Sequence, residues 1–338
     1  MNGMDAPTPN NGPRAGEPTI STGSLPAAER VRTLVDEAWD RYRHLDEGRL
    51  ADYIPALARA QPAWFGICVA GVHGALYAAG DADREFSIQS VSKPFVYALV
   101  CQALGGDELR ARVGVNATGL PFNSVMAIEL NEARTMNPMV NGGAIATTSL
   151  APGDTPDEKW EFIHEGLSRF AGRRLSVDPE VYDSERATNQ RNQGIARLLQ
   201  GYGRMYCDPV EATDLYTRQC ALNVTVRDLA VMGATLADGG VNPVTRERVI
   251  DSDRCQRVLA VLATAGLYER SGDWLFDTGL PGKSGVSGGI VTVAPGKGSI
   301  ATFSPLLDAA GNSVRGCHAT GFLSEQLGLN LFASAPAV

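Results

Sequence analysis

Hydrophobic positions divide the chain into strand-like ends and a helical middle. Apolar residues recur at helical spacing in ERVRTLVDEAWDRYRHL, residues 29–45, below a charged face, which predicts an amphipathic helix. Two short apolar runs follow, WFGICVAG (64–71) and ALYAAG (75–80), and the turn residues Val72-His73-Gly74 between them predict a β-hairpin. The next segment, FSIQSVSKPFVYALVCQAL (86–104), is long and apolar enough for a buried helix.

Helical patterns dominate from about residue 105 to about residue 275. Thr225, with Asp228 three residues later, is typical of a capping box, and Gly239-Gly240 can end the helix that it begins. After residue 280, GGIVTVAP and GSIATFSP are strand-like runs joined by Gly296-Lys297-Gly298, a second predicted hairpin. A last helix is expected over TGFLSEQLGLNLFA, residues 320–333.

Strands at both ends of one chain, with helices between them, predict an α+β architecture. We expect an antiparallel sheet built from the N- and C-terminal segments, about residues 28–100 and 276–338, and flanked by helices. A helical subdomain of about residues 101–275 would be inserted between them. Residues 1–27 are rich in Pro, Gly, Ser, Thr and Asn, and so few large apolar side chains cannot offset the entropy of ordering. A disordered tail is therefore expected there.

Composition and charge narrow the classes of partner. A formal net charge of −8 without a basic block argues against a nucleic-acid partner. The chain has no apolar run near membrane-spanning length and no apolar signal-peptide core, so we expect no membrane partner and a cytoplasmic location. The six cysteines and four histidines are scattered, which predicts buried thiols and no metal. No cofactor is expected, because no nucleotide-binding glycine motif is present.

Two lysine motifs carry the candidate chemistry in a chain that has only four lysines. Ser90 stands three residues before Lys93, and these positions share one face of a helix, so we expect the hydroxyl to contact the amine. Pro94 is expected to push Lys93 away from helical conformation. Lys283 begins a Lys-Ser-Gly sequence before a strand-like run, and S-x-x-K followed by K-[ST]-G is typical of serine acyl-transfer enzymes. Alone, each motif is more often a surface lysine or a glycine turn; together, in this order, they favour catalysis.

Seven blocks, in order along about residues 28–335, carry a family resemblance. They read ADYIPALA, FSIQSVSKPF, NPMVNGGAIATTSL, VYDSERATNQRNQGIA, DLYTRQCALNVTVRDLAVMGATLADGG, ATAGLYERSGDWLFDTGLPGKSGVSGGIVTVAPGKGSIATFSP and LDAAGNSVRG. In these blocks the sequence resembles the bacterial-type, serine-dependent glutaminases. The resemblance implies the fold of serine β-lactamases and penicillin-binding transpeptidases, hydrolysis of L-glutamine to L-glutamate, and a homo-oligomer, either a dimer or a tetramer.

The resemblance also implies roles for matching positions. Ser90 would be the nucleophile and Lys93 its proton acceptor, and either Tyr268 or Tyr216 would relay a proton to the departing ammonia. The substrate pocket would be lined by Tyr53, Ser90, Asn141, Glu185, Asn192, Tyr216, Tyr268 and Val286. Val286 would contribute its backbone to the oxyanion site. This chain departs from the common pattern at Gly142, Gly282 and Ser287, which affects local loops rather than the chemistry.

The expected substrate has an ammonium and a carboxylate group that need opposite partners. Glu185 suits the ammonium, whereas Asn141, Asn192 and the Tyr53 hydroxyl suit the carboxylate without a second buried charge. Apart from the resemblance, these residues would be a surface carboxylate, turn amides and a core aromatic residue. Two other functions remain open: a different serine amidohydrolase of the same fold, such as a β-lactamase or peptidase, which the lack of an S-D-N triplet disfavours, or a non-catalytic amino-acid sensor.

Overall fold

The computed structural model describes residues 23–134 and 136–334. The helices are α1 (Ala28–Tyr42), α2 (Lys93–Leu104), α3 (Gly106–Val113), α4 (Met126–Glu129), α5 (Asn141–Ser149), α6 (Pro156–Ala171), α7 (Pro179–Thr188), α8 (Gln190–Gly201), α9 (Pro209–Cys220), α10 (Val226–Ala237), α11 (Ser252–Ala265), α12 (Ser271–Thr278) and α13 (Val314–Gln326). The strands are β1 (Gly66–Gly71), β2 (Leu76–Gly80), β3 (Phe86–Ser87), β4 (Ser176–Val177), β5 (Leu222–Val224), β6 (Gly282–Ser284), β7 (Gly289–Ala294) and β8 (Gly298–Phe303). Short 3-10 turns lie at Leu57–Arg59, Gln89–Ser92 and Tyr268–Arg270.

A five-stranded antiparallel sheet joins the two ends of the chain in the order β2-β1-β8-β7-β6. The β1–β2 hairpin places Ile67 opposite Ala79, and β1 also pairs with β8, where Val69 lies opposite Ile300. The β7–β8 hairpin completes the centre of the sheet. Both predicted hairpins, and the origin of the sheet in two distant segments, are confirmed.

Helices cover both faces of this sheet. Ile67 and Val69 of β1 pack with residues of α1 and α13, whereas Cys68 and Ala70 belong to the core that includes α10. Successive side chains of a strand point to opposite faces, so both sets are buried. This two-sided burial explains why β1 reads in the sequence as a continuous apolar run rather than as an alternating one.

A second sheet, of order β3-β5-β4, was not predicted, because its strands are only two or three residues long. Its position matters for function, since β3 leads directly into the turn that contains Ser90. The Ile88 N–H donates to Leu222 O at 2.8 Å, which fixes the start of that turn against β5. From the turn the chain enters α2, whose residues 93–101 are all buried.

The predicted start of α10 agrees with the structure, whereas the predicted bounds of α13 do not. The predicted capping box is confirmed: Thr225 Oγ1 accepts from the Asp228 N–H, and the Asp228 carboxylate accepts from the Thr225 N–H. The predicted bounds of the last helix were wrong. α13 already begins at Val314, because the Ser313 hydroxyl accepts from the Gly316 N–H, and it ends before Gly328, whose φ of +64° does not continue a helix.

Three further expectations concern the tail, the thiols and the subdomains. Residues 1–22 of the predicted disordered tail lie outside the described residues, whereas Leu25 packs against the α1–α13 side of the sheet. The expectation that all six thiols are buried was wrong for two of them. Cys207 and Cys317 are half-buried. The predicted division into a sheet subdomain and a helical subdomain, with boundaries near residues 101 and 276, stays a prediction. Within the described residues, each helix is too short or too polar to span a bilayer.

Candidate active site

A cavity of about 290 Å³ brings together seven of the nine predicted site residues. It is lined by Tyr53, Ser90, Asn141, Glu185, Asn192, Tyr216 and Val286. Lys93 and Tyr268 do not line the cavity. Each contacts a residue that does: Lys93 contacts Asn141, and Tyr268 contacts Phe122. Residues that the sequence did not predict complete the lining: Ile54, Gln89, Phe122, Asn123, Thr188, Asn189 and Arg191.

Ser90 lies in the 3-10 turn Gln89–Ser92, which continues into α2. Lys93 is the first residue of the helix, with φ −54° and ψ −51°. The expectation that Pro94 would displace Lys93 from helical conformation was wrong. Pro94 falls in the first helical turn, where its missing N–H has no intrahelical acceptor to lose, and the preceding turn is already helical.

The residue before Ser90 has a strained backbone that a buried polar network supports. Gln89 has φ +50°, a left-handed conformation that costs a non-glycine residue about 1–3 kcal/mol. Its carbonyl accepts from Ser92 Oγ at 2.8 Å, and Ser92 Oγ in turn accepts from Gln219 Nε2 at 3.2 Å. The Gln219 carbonyl accepts from Thr148 Oγ1 at 3.0 Å. This chain of hydrogen bonds connects the turn to α5 and α9.

Lys93 is 1% exposed, and its amine is held by two acceptors. Nζ donates to Asn141 Oδ1 at 2.8 Å and to Met139 O at 3.2 Å. The expected hydrogen bond to the Ser90 hydroxyl does not occur among the described residues, because these two acceptors draw the amine elsewhere. Burial lowers the pKa of Lys93 to about 8. A neutral amine has two N–H groups and one lone pair, so this pair of acceptors leaves the lone pair free.

Tyr268 and Lys283 meet at the carbonyl group of Ser284. The Tyr268 hydroxyl donates to Ser284 O at 3.2 Å, and Lys283 Nζ donates to the same oxygen at 2.7 Å while lying 4.1 Å from the centre of the Tyr268 ring. Burial raises the pKa of Tyr268 to about 12, although hydrogen bonds with Ser90 and Ser284 oppose the rise. Burial, and then the charge of Lys93, hold the pKa of Lys283 well below its ordinary value.

Asn141, the first residue of α5, is the centre of the polar contacts in the cavity wall. Its Oδ1 accepts from Lys93 and, at 3.3 Å, from the Tyr216 hydroxyl. Its Nδ2 donates to Asn192 Oδ1 at 2.9 Å, which links α5 to α8. One amide thus connects three of the residues that were predicted for different roles.

Glu185 and Tyr53 occupy opposite environments in the same cavity. Glu185 on α7 is 8% exposed, and burial raises its pKa to about 7, while a hydrogen bond from Gln89 and the charge of Lys93 oppose the rise. Glu185 is therefore not the surface carboxylate that would be expected apart from the family resemblance. Tyr53 is 54% exposed at the cavity margin, so it is not a core aromatic residue either.

Two backbone donors near the Ser90 side chain lack acceptors. Among the described residues, neither the Ser90 N–H nor the Val286 N–H makes a hydrogen bond. Val286 lies just after β6, and Gly285 beside it packs closely on the Ser90 turn: a Cβ there would lie 3.1 Å from Ile88 O. Two residues from separate segments, each with an unpaired N–H group, therefore line the same cavity, an arrangement that suits a developing oxyanion.

The unpredicted lining residues had little local signal. Gln89 is adjacent to the nucleophile motif but matches no motif of its own. Phe122, whose ring lies 4.8 Å from that of Tyr268, comes from an irregular segment. Arg191, in the first turn of α8, donates to Asn123 O at 2.9 Å, a contact between distant segments. Gln89 and Arg191 fall inside the quoted blocks, whereas Phe122 and Asn123 lie outside all of them.

Comparison with known proteins identifies the family. The family model described as Glutaminase matches residues 48–332. The chain belongs to the glutaminase family. Glutaminase 2 of Yersinia pestis is 62% identical over 317 residues, which cover 94% of this chain and 93% of that relative. The glutaminase of Colwellia psychrerythraea is 49% identical over 302 residues, which cover 89% of this chain and 97% of that relative.

Solved structures of glutaminases have the same fold as this chain. The probable glutaminase ybaS superimposes with a TM-score of 0.90 at 43% identity, over 91% of this chain and all of that one (100%). Mglu in its glutamate form gives a TM-score of 0.85 at 41% identity, over 90% of this chain and 70% of that one. The β-lactamase-like α+β fold is therefore confirmed, and the chain is a glutaminase rather than a β-lactamase, a peptidase or a non-catalytic sensor.

Proposed function

We propose that this glutaminase hydrolyses L-glutamine to L-glutamate and ammonia through a γ-glutamyl ester on Ser90, with Lys93 as the base. One observation carries the proposal: a buried lysine whose two N–H groups have fixed acceptors lies three residues after a serine that lines the cavity. A lysine with a pKa of about 8 is neutral in roughly one molecule in ten at pH 7, far more than at its ordinary pKa of 10.5, and only the neutral amine can accept a proton.

Acylation begins at the side-chain amide of glutamine. Ser90 Oγ attacks the amide carbon as Lys93 accepts the hydroxyl proton, so an O–C bond forms. The C–N bond then breaks, and the nitrogen leaves as ammonia with the proton that Lys93 took from Ser90, passed on through a tyrosine hydroxyl. In the second half, water attacks the ester carbon as Lys93 accepts one of its protons, the C–O bond to Ser90 breaks, and Lys93 gives that proton to Ser90 Oγ as glutamate leaves. The small shift that brings the Ser90 hydroxyl to the lone pair of Lys93 would occur when substrate binds.

The oxyanion that forms in both halves would be bound by the N–H groups of Ser90 and Val286. Their lack of other acceptors supports this role, because they need not break a hydrogen bond to take it. A donor of this kind is worth about 3 kcal/mol of barrier in measured cases. Two such donors would supply a sizeable part of the rate enhancement.

The contacts favour Tyr268 over Tyr216 as the group that relays a proton to ammonia. Both hydroxyls have a protein acceptor, Ser284 O for Tyr268 and Asn141 Oδ1 for Tyr216, but only the Tyr268 hydroxyl also interacts with Ser90, the attacking residue. We therefore propose that Tyr216 shapes the pocket and orients Asn141. Tyr268→Phe should lower kcat by at least tenfold, and Tyr216→Phe should affect KM more than kcat.

The substrate's own charges would be bound at the other end of the cavity. Glu185 would pair with the α-ammonium group, and its burial makes that pairing worth more than at a surface. Asn192 and the Tyr53 hydroxyl would bind the α-carboxylate, together with the remaining N–H of the Asn141 amide. This assignment places the side-chain amide of glutamine towards Ser90.

Trapping the ester tests the mechanism. After rapid acid quench with L-glutamine, the intact mass of the wild-type chain should include a species heavier by one glutamyl group, and peptide mapping should place the addition on Ser90. Ser90→Ala should show no such species and no ammonia release, and Lys93→Met should lose at least 10³-fold in kcat. Lys159→Met, far along the chain on α6, is the matched control. Equal ammonia release by wild type and Ser90→Ala would contradict the proposal.

The proposed assembly rests on the family resemblance, whereas the proposed location and partners rest on the charge and the apolar pattern of the sequence. We propose a homo-oligomer, either a dimer or a tetramer, in the cytoplasm, with no cofactor and with neither nucleic acid nor membrane as partner. Light scattering on the purified chain at several concentrations measures its mass directly. A monomeric mass at all concentrations would contradict the oligomer.

A further inference from the structure

We propose that a second cavity, bounded by α2, α3 and α11, binds a small organic carboxylate with an apolar body. This cationic cavity has a volume of about 320 Å³ and shares no lining residue with the proposed glutamine site. Its lining includes Tyr97, Gly106, Arg110, Val115, Arg257 and Val261.

The charge of the cationic cavity is opposite to that of the whole protein. Two guanidinium groups, of Arg110 and Arg257, line it, and no carboxylate does, in a chain with a net charge of −8. Among the described residues Arg110 has no ion pair and no side-chain hydrogen bond. Arg257 pairs with Asp107 at 2.9 Å, but the Asp107 carboxylate is 91% exposed, and such a surface pair contributes little, so an incoming anion can compete with it.

A tyrosine hydroxyl in the wall is open to the cavity. Tyr97 on α2 is 2% exposed and lines the cavity, and its hydroxyl makes no hydrogen bond to any described residue. Arg257 and Arg110 lie close enough to affect this hydroxyl, since their charges oppose the burial that raises the pKa of Tyr97 to about 12. One phenol and two guanidinium groups therefore line the same space. The phenol can donate to an acceptor atom of a ligand without breaking a hydrogen bond within the protein.

Arg257 is held in place by the first residue of α3. Its side chain lies flat on Gly106, where a Cβ would come within 2.6 Å of the guanidinium carbon. The first N–H groups of an α-helix have no intrahelical acceptors, and they add positive potential at this end of α3. Arg257 is thus positioned by packing before any ligand arrives.

The remaining walls determine the class of anion. Val115 and Val261 present apolar surface beside the guanidinium groups, and the volume falls in the range of small-molecule sites. Guanidinium groups bind carboxylates with two parallel hydrogen bonds. A ligand that combines a carboxylate with a hydrocarbon body uses both surfaces, whereas acetate or inorganic phosphate uses only the cationic one. We therefore expect benzoate or hexanoate to bind more tightly than acetate or phosphate.

Calorimetric titration of the full-length protein tests the site. Sodium benzoate, hexanoate, acetate and inorganic phosphate are titrated separately, each with saturating L-glutamate present so that the catalytic cavity is occupied. Benzoate or hexanoate should saturate one site per chain, with acetate and phosphate at least tenfold weaker. Arg110→Gln should weaken binding by about tenfold and Tyr97→Phe by about fivefold, as expected for the loss of a charge-assisted and a neutral hydrogen bond.

The control is Arg32→Gln, which removes an exposed arginine from α1, and it should leave affinity unchanged. Arg110 is itself exposed, so its replacement should not impair folding, and equal thermal unfolding of the variants verifies this. Absence of saturable binding in the wild type, or equal affinity in wild type and Arg110→Gln, would overturn the site. Phosphate binding as tight as benzoate would overturn the class of ligand.

Discussion

The amide group of Gln89 donates a hydrogen bond to the carboxylate of Glu185 over 3.3 Å. This contact joins the residue before the proposed nucleophile to the side chain proposed to bind the ammonium group of the substrate. Because it stabilises the ionised carboxylate, it opposes the burial that raises the pKa of Glu185 to about 7. Substrate recognition and attack are therefore linked through one buried amide.

Gln89→Met should make Glu185 harder to ionise. In the wild type, kcat/KM should fall as the pH decreases through about 8, where Lys93 becomes protonated, and should fall more steeply below about 7, because a protonated Glu185 cannot pair with the substrate's ammonium group. Without the Gln89 amide this steeper fall should begin about one pH unit higher. The pH profile of kcat/KM reports groups of the free enzyme and measures the change. Gln200→Met on the exposed side of α8 is the control, and identical acid limbs in Gln89→Met and wild type would count against the link.

Glu185→Gln should stabilise the fold at high pH and not at low pH. The pKa of Glu185 is about 7 in the folded state and about 4.5 in the unfolded state, so between these values the folded state binds more protons and loses stability as the pH rises. A neutral glutamine avoids that loss. At about pH 8 the variant should be more stable by about 3 kcal/mol, and the difference should vanish near pH 4.5. Chemical denaturation at both pH values measures it, with Glu165→Gln as an exposed control. A difference independent of pH would show that Glu185 is not buried as a charge.

Asn141→Asp should disable the proposed base by charging it. A carboxylate at the position of Asn141 Oδ1, 2.8 Å from Lys93 Nζ, would raise the pKa of Lys93 well above 8 and keep the amine protonated. We expect kcat to fall at least tenfold near pH 8 and to recover as the pH rises further. Asn141→Leu separates this effect from simple loss of contact, because its activity should not recover at higher pH. Parallel pH profiles for the two variants would argue against Lys93 as the base.

Gln219→Met should lower kcat with little change in KM. Gln219 does not line the cavity, but its amide donates a hydrogen bond to Ser92 Oγ. Ser92 Oγ in turn donates to the carbonyl of Gln89, the residue with a strained backbone next to Ser90. Losing that support should cost roughly tenfold in kcat, as expected when a nucleophile is slightly misplaced. Steady-state kinetics separate the two constants. Thr148→Ser, which keeps the terminal hydroxyl of the network, should retain near-normal kcat. A lower unfolding temperature with unchanged kcat would reduce Gln219 to a structural role.

Local patterns predicted most of the fold and the two central motifs. Both hairpins follow from short apolar runs around turn residues, and the start of α10 follows from Thr225 and Asp228. These signals lie within a few neighbouring residues. The β3-β5-β4 sheet could not be predicted in the same way, because strands of two or three residues are stabilised by partners far along the chain, such as Ile88 and Leu222.

The candidate site also shows that local sequence patterns do not predict contacts between distant segments. Helical spacing suggested that Ser90 and Lys93 touch, but the partners of Lys93 are Met139 and Asn141, which lie more than forty residues later. Their position depends on the packing of α5 against α2, which no local pattern reports. The family resemblance pointed to Asn141, which lines the cavity, whereas Gln89 and the Gln219 network became visible only through their contacts.

The order of strands in the main sheet has a consequence for how the enzyme is made. β1 is synthesised early, yet its neighbour β8 and the turn that contains Val286 come from the last fifth of the chain. A nascent chain on the ribosome therefore contains the proposed nucleophile long before it contains the second proposed oxyanion donor. Glutamine turnover should begin only after this last segment has left the exit tunnel, so a chain that stalls before residue 282 should be inactive.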